Sequence, residues 1–143
     1  VSLATARRLA LAMAALALIG LGISIYLTVL KLAGEVPLCV VGGGCESVQT
    51  SKYSVLLGIP VAAYGAAWSA VALAAAVTWW RSGDRRALLV LYLGGLAATL
   101  MEGYLLYLEL FVIHAVCSWC ATYGVTVVLG WLLTLPALRV REG

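Results

Sequence analysis

Four cysteines, in two pairs, carry most of the chemistry this sequence offers. Cys39 and Cys45 enclose Val40-Val41-Gly42-Gly43-Gly44, and Cys117-Ser118-Trp119-Cys120 is a CxxC. On a helix, CxxC spacing puts both sulfurs on one face within bonding reach, and a helix N-terminus stabilises a thiolate. That pair can therefore cycle between dithiol and disulfide. Three consecutive glycines permit the tight backbone that brings Cys39 and Cys45 within the roughly 7 Å between Cα atoms that a disulfide spans. They also let an opened pair swing out to meet a soluble protein and exchange with Cys117 through a mixed disulfide. Two dithiols acting in this way form an electron relay. Two alternatives stay open: a static Cys39–Cys45 staple, and a zinc site built from all four cysteines. The metal reading is the weaker, because the first pair is spaced more widely than usual zinc ligands and the loop lacks polar groups to orient them.

The elements that must position these cysteines are membrane helices. The chain has 143 residues, 64% hydrophobic and 10% charged, with a mean hydropathy of +1.08, far from the composition of a soluble domain. No charged residue falls between Arg8 and Lys31 or between Lys52 and Arg81, and only Glu102 and Glu109 interrupt the run from Ala87 to Ile113. Apart from His114, the stretch from Glu109 to Arg139 is also uncharged. Crossing a hydrocarbon core of about 30 Å takes roughly 20 residues. Four spans are expected, at about 9–30, 57–80, 87–113 and 117–138, in one all-α membrane domain over 1–143: a four-transmembrane-helix bundle. A cysteine-bearing loop over 31–56 joins the first two spans, with a short interfacial helix expected from Glu46 to Tyr53. Arg7-Arg8 before an Ala/Leu run looks like an export signal. Its apolar stretch, however, continues through Gly20 to Tyr26 and does not stop at a small-residue cleavage site, which favours a retained span.

Seven of the nine basic residues, Arg7, Arg8, Arg81, Arg85, Arg86, Arg139 and Arg141, fall on one side of this arrangement, and Lys31 and Lys52 on the other. The positive-inside bias then places both termini in the cytoplasm and all four cysteines on the extracytoplasmic face of the cell membrane, where disulfides persist. The same bias accounts for the net charge of +3, and nucleic acid is not an expected partner.

Several motifs carry a family resemblance. They are Gly22-Ile23-Ser24-Ile25-Tyr26-Leu27-Thr28; Cys39 and Cys45 followed by Val48 and Ser51; Tyr53-Ser54-Val55-Leu56-Leu57-Gly58-Ile59-Pro60; and Tyr107-Leu108-Glu109-Leu110-Phe111-Val112-Ile113 leading into Cys117-Ser118-Trp119-Cys120. With these the chain resembles the bacterial and archaeal vitamin K epoxide reductase family over nearly its whole length. The resemblance implies a bundle around a quinone of the ubiquinone, menaquinone or vitamin K type. Electrons would pass from a reduced thioredoxin-like, DsbA-like partner to Cys39 and Cys45, then to Cys117 and Cys120, then to the quinone. No thioredoxin-like domain is expected behind Leu138, so the partner is a separate protein. By the same analogy Cys120 contacts or adds to the quinone, Cys117 resolves a bridge to the loop pair, and the Ser51 hydroxyl supports the relay.

Tyr64, Tyr104, Phe111, Trp119 and Tyr123 are candidates to pack on or hydrogen-bond the quinone, weighed against the general liking of Tyr and Trp for membrane interfaces. Tyr64 is preferred because the family places a bulky residue before the glycine that is Gly65 here. Tyr123 is out of register with the tyrosine that follows the CxxC in animal relatives. Glu102 and Glu109, two helical turns apart, are candidate proton carriers, weighed against plain packing. His114 either stabilises the Cys117 thiolate or caps the turn. Gly20, Gly22, Ser24, Gly94 and Gly95 read as packing positions. Two other functions are carried forward. One is a DsbB-like quinone-linked disulfide oxidase, which normally has the two cysteine pairs in the opposite order. The other is a non-enzymatic membrane protein held by disulfides.

Overall fold

A computed structural model describes residues 3–35 and 52–139 of the chain. Its four long helices are α1 (Leu3–Leu32), α2 (Val61–Ser82), α3 (Arg85–Tyr107) and α4 (Ser118–Leu138). All four are long and apolar enough to cross a membrane, α3 together with the turn that follows it. The fold is the expected four-helix membrane bundle. α1 and α2 share the largest interface, and alanines make that possible. Ala72, Ala75 and Ala76 of α2 are buried against Ala10 and Met13 of α1, with Leu88 and Leu91 of α3 completing this core. Small side chains let backbones approach closely where lipid offers no hydrophobic drive to association. Outward positions stay apolar: Leu93 and Leu100, two helical turns apart on α3, are 60% and 67% exposed. In a bilayer this exterior is satisfied by acyl chains.

The link between α2 and α3 is only two residues long. Gly83 takes the left-handed conformation (φ 67°) and its N–H closes on the Trp79 carbonyl. Asp84 caps α3, its carboxylate accepting from the Arg86 N–H at 2.9 Å. Together they stop one helix and start the next within a single turn. At this end lie Arg7, Arg8, Arg81, Arg85, Arg86 and Arg139. Arg7 stacks on Trp80 at 5.7 Å, and Arg85 donates to the Leu138 carbonyl at 3.1 Å.

The opposite end differs from the sequence expectation in two places. The second span does not open at Leu57. Residues 55–60 form a tight hairpin that pairs Val55 with Pro60 and Leu56 with Ile59, and α2 starts at Val61. The turn residues Leu57 (φ 55°) and Gly58 (φ 80°) are both left-handed, the signature of a type I′ turn, whose twist matches a hairpin. Pro60 lies outside α2 as its N-cap residue, in an extended conformation (ψ 136°). The expected interfacial helix after Cys45 lies mostly outside the described residues, and its last two, Lys52 and Tyr53, belong to a 3-10 turn over Lys52–Ser54. The second difference is in the third span, which ends in a π-helical segment, Leu108–Ile113, closed by His114 in the left-handed conformation (φ 59°). Such wide turns recur at functional sites, and this one leads straight into the CxxC.

Candidate active site

Cys117 is the N-cap residue of α4, with extended backbone angles (φ −89°, ψ 114°). Its sulfur takes the place of the usual Ser or Asp oxygen, accepting the Cys120 N–H at 3.2 Å. Within this one turn the two sulfurs have different surroundings. Cys117 is fully buried under Ile113, Ala115 and Trp119, and Cys120 is half-buried and forms part of a cavity wall. An N–H directed at a sulfur stabilises negative charge there, which suits a sulfur that must attack or leave as thiolate.

The cavity holds about 630 Å³ and is bounded by all four helices and the 3-10 turn. Its lining is largely aliphatic, from Leu27 on α1, Val61 and Ala62 on α2, Leu105 and Leu106 on α3 and Val125, Val128 and Leu129 on α4. The polar exceptions are Ser24, Tyr53, Thr99, Glu102, Glu109, Tyr123 and Cys120. Two of the hydroxyls are already committed to the protein. Ser24 Oγ donates to the Gly20 carbonyl at 2.7 Å. The Tyr123 hydroxyl donates to the Gly65 carbonyl at 2.8 Å and shares a 3.0 Å hydrogen bond with Ser69 Oγ. Thr99 Oγ1 is buried and has no hydrogen-bond partner among the described residues. A volume of several hundred Å³, apolar walls and the uncommitted Thr99 hydroxyl fit a flat, apolar ring bearing carbonyl oxygens.

Of the residues that the sequence singled out, the structure brings Cys120, Tyr123, Glu102 and Glu109 to this cavity, with Cys117 directly behind. It does not bring Tyr64, Tyr104, Phe111 or Trp119 into the wall. Tyr64 turns toward the hairpin, donating to the Leu56 carbonyl at 2.9 Å. Tyr104 and Phe111 are 53% and 64% exposed. Each comes two residues after an inward-facing glutamate, and two residues carry a side chain about 200° around a helix. Phe111 packs on Tyr107 at 5.3 Å. The Trp119 ring packs on Tyr26 at 5.0 Å and backs the CxxC without entering the cavity. Cys39, Cys45 and Ser51 lie outside the described residues.

Sequence reasoning missed Tyr53, Thr99 and the polar seam of Ser69 and Thr126. Thr99 carried a usable signal, lying three residues before Glu102 and hence on the same helix face. Gly65 was noticed for its neighbour, but its own part is to admit Tyr123: a Cβ there would meet the tyrosine ring and hydroxyl at 3.1 Å.

A CxxC at a helix cap, with one sulfur sealed in and the other on the wall of an intramembrane cavity, is an arrangement for thiol redox chemistry inside a bilayer. In keeping with that geometry, the model of the Vitamin K epoxide reductase family matches residues 11–135, and the chain belongs to this family.

Proposed function

We propose that this protein is a quinone-reducing thiol–disulfide oxidoreductase that reoxidises an extracytoplasmic thioredoxin-like partner and so supports disulfide-bond formation. The observation that carries the reading is Cys120 in the wall of a roughly 630 Å³ apolar cavity, with Cys117 one turn away at the helix cap. A structural disulfide or zinc site has no need of such a cavity. In the proposed relay, the Cys39–Cys45 disulfide accepts two electrons from the partner's dithiol, which closes to a disulfide. The loop dithiol then reduces the Cys117–Cys120 disulfide by exchange, with Ser51 supporting the loop pair. Reoxidising Cys117 and Cys120 releases two electrons and two protons, the amount one quinone takes up. Cys120 and the Thr99 hydroxyl are the groups suited to hold the ring, and the aliphatic wall excludes water from it. In the cell membrane, with both termini cytoplasmic, the cysteines face the oxidising side.

Quinone reduction by the purified protein in detergent, driven by a reduced thioredoxin-like oxidase, tests this. Serine at Cys117 or Cys120 should abolish turnover even when a small dithiol replaces the protein donor. Serine at Cys39 or Cys45 should abolish only the protein-driven reaction. If the intact protein reduces no quinone while every variant merely unfolds more easily, the reading is wrong.

A further inference from the structure

We propose that Glu109 and Glu102 carry the protons released when Cys117 and Cys120 close to a disulfide, an inference that rests on the redox reading above. A carboxyl buried in a membrane bundle is expensive and needs a physical reason. Glu109 is only 5% exposed, yet among the described residues no Lys, Arg or His lines the cavity it faces. Neither glutamate therefore has a basic partner among the described residues of the cavity wall.

What holds Glu109 is the approach to the CxxC. Its main-chain carbonyl accepts the His114 N–H and the Ala115 N–H, the latter at 2.9 Å. Its carboxylate accepts the Cys117 N–H. One residue thus fixes the turn through its backbone and touches the cysteine motif through its side chain. The π-helical segment matters here, because its wide turn directs the Glu109 carbonyl at residues five and six positions further on. Glu102 lies two turns earlier on the same face and reaches across to α4. A Cβ at Gly124 would sit 3.0 Å from its Oε2, and Gly124 is one turn beyond Cys120. The two carboxyls and Cys120 share the cavity. Among the described residues, the other titratable groups facing them are Tyr53 from the 3-10 turn and Tyr123 from α4, with Cys117 at the cap, and the α1 and α2 residues lining the cavity are not titratable.

The step balances. Two S–H bonds break and one S–S bond forms. Two electrons leave for the acceptor, a quinone. Two protons pass to the carboxylates, Glu109 next to the cysteines and Glu102 further along the wall, and from them to the two oxygens that quinone reduction leaves needing protons. Both carboxyls then return to their starting state.

The test has two arms. In protein stripped of quinone, an infrared difference spectrum between the dithiol and disulfide states of the CxxC should contain a carboxyl C=O band. That band should vanish in Glu109→Gln and shift in Glu109→Asp. In turnover with a small dithiol and a quinone, Glu109→Gln and Glu102→Gln should each lower kcat by about 10²-fold with little change in KM. The Gln variants should flatten the pH profile, and Glu109→Asp should recover part of the rate. Glu102→Gln leaves the cap of α4 untouched and stands in if Glu109→Gln fails to fold. A wild-type pH profile and rate in both Gln variants, or a difference spectrum with no carboxyl band, overturns the proposal. Because the infrared arm needs no quinone, a wild type that shows the carboxyl band but reduces no quinone would sink only the preceding reading.

Discussion

Close contacts around single residues decide which substitutions this bundle tolerates. A Cβ on Gly94 would lie 2.3 Å from the Trp68 ring, and an indole packed between helices has no easy alternative rotamer. Gly94→Ala should therefore destabilise the bundle by about 1–3 kcal/mol, measured as a lowered unfolding midpoint in detergent. Gly22, which reads equally well as a packing glycine in the sequence, has open space where its Cβ would be. Gly22→Ala should leave that midpoint unchanged or raise it slightly, because alanine is the better helix former. Tyr123→Phe removes the hydroxyl that pairs with Ser69 and the Gly65 carbonyl. It should cost about 1 kcal/mol of stability while leaving dithiol-driven turnover largely intact, which would separate bracing the cavity from chemistry within it.

At the scale of elements, the turns at the two ends of the bundle have different work. The Gly83-Asp84 link stops and restarts a helix with local chemistry alone, and Asp84→Ala should cost about 1 kcal/mol through loss of the cap. The hairpin before α2 has an 88% exposed Leu57 in the left-handed conformation, where a leucine is strained by about 1–2 kcal/mol. Leu57→Asn should relieve part of that strain and raise the unfolding midpoint without touching the cavity. An unchanged or lowered midpoint would show that the exposed leucine serves another purpose, such as anchoring the hairpin in lipid. Only the first of these turns is readable in the sequence. Gly-Asp is a recognised stop-and-start pair, whereas Leu-Gly between Val-Leu and Ile-Pro is a poor hairpin signal, because only one of its residues favours positive φ. The π-helical end of the third span left no periodicity signal at all, since one wide turn of six residues is too short to shift a pattern.

For the whole molecule, the arginines gathered at one end and the CxxC at the other set the expected orientation. After mild reduction of intact cells, a membrane-impermeant maleimide should label Cys39 and Cys45, and labelling that appears only after lysis would reverse the orientation. The four spans and the spacing of the cysteines were legible in the sequence because hydrophobic run length and cysteine separation are local properties that lipid and sulfur chemistry read directly. The inward face of α3 was partly legible, since two glutamates seven residues apart share a face whatever surrounds them. Which aromatic side chains meet the cavity was not, because that depends on how each helix is rotated against its neighbours. The alanines of α2 against α1, Trp68 over Gly94 and Tyr123 against Gly65 set those rotations. The sequence by itself thus determined a membrane bundle with a dithiol at one end. Only tertiary packing decided that Cys120 faces the cavity with Glu102 and Glu109, and that Cys117 is sealed behind it as the cap of the last helix.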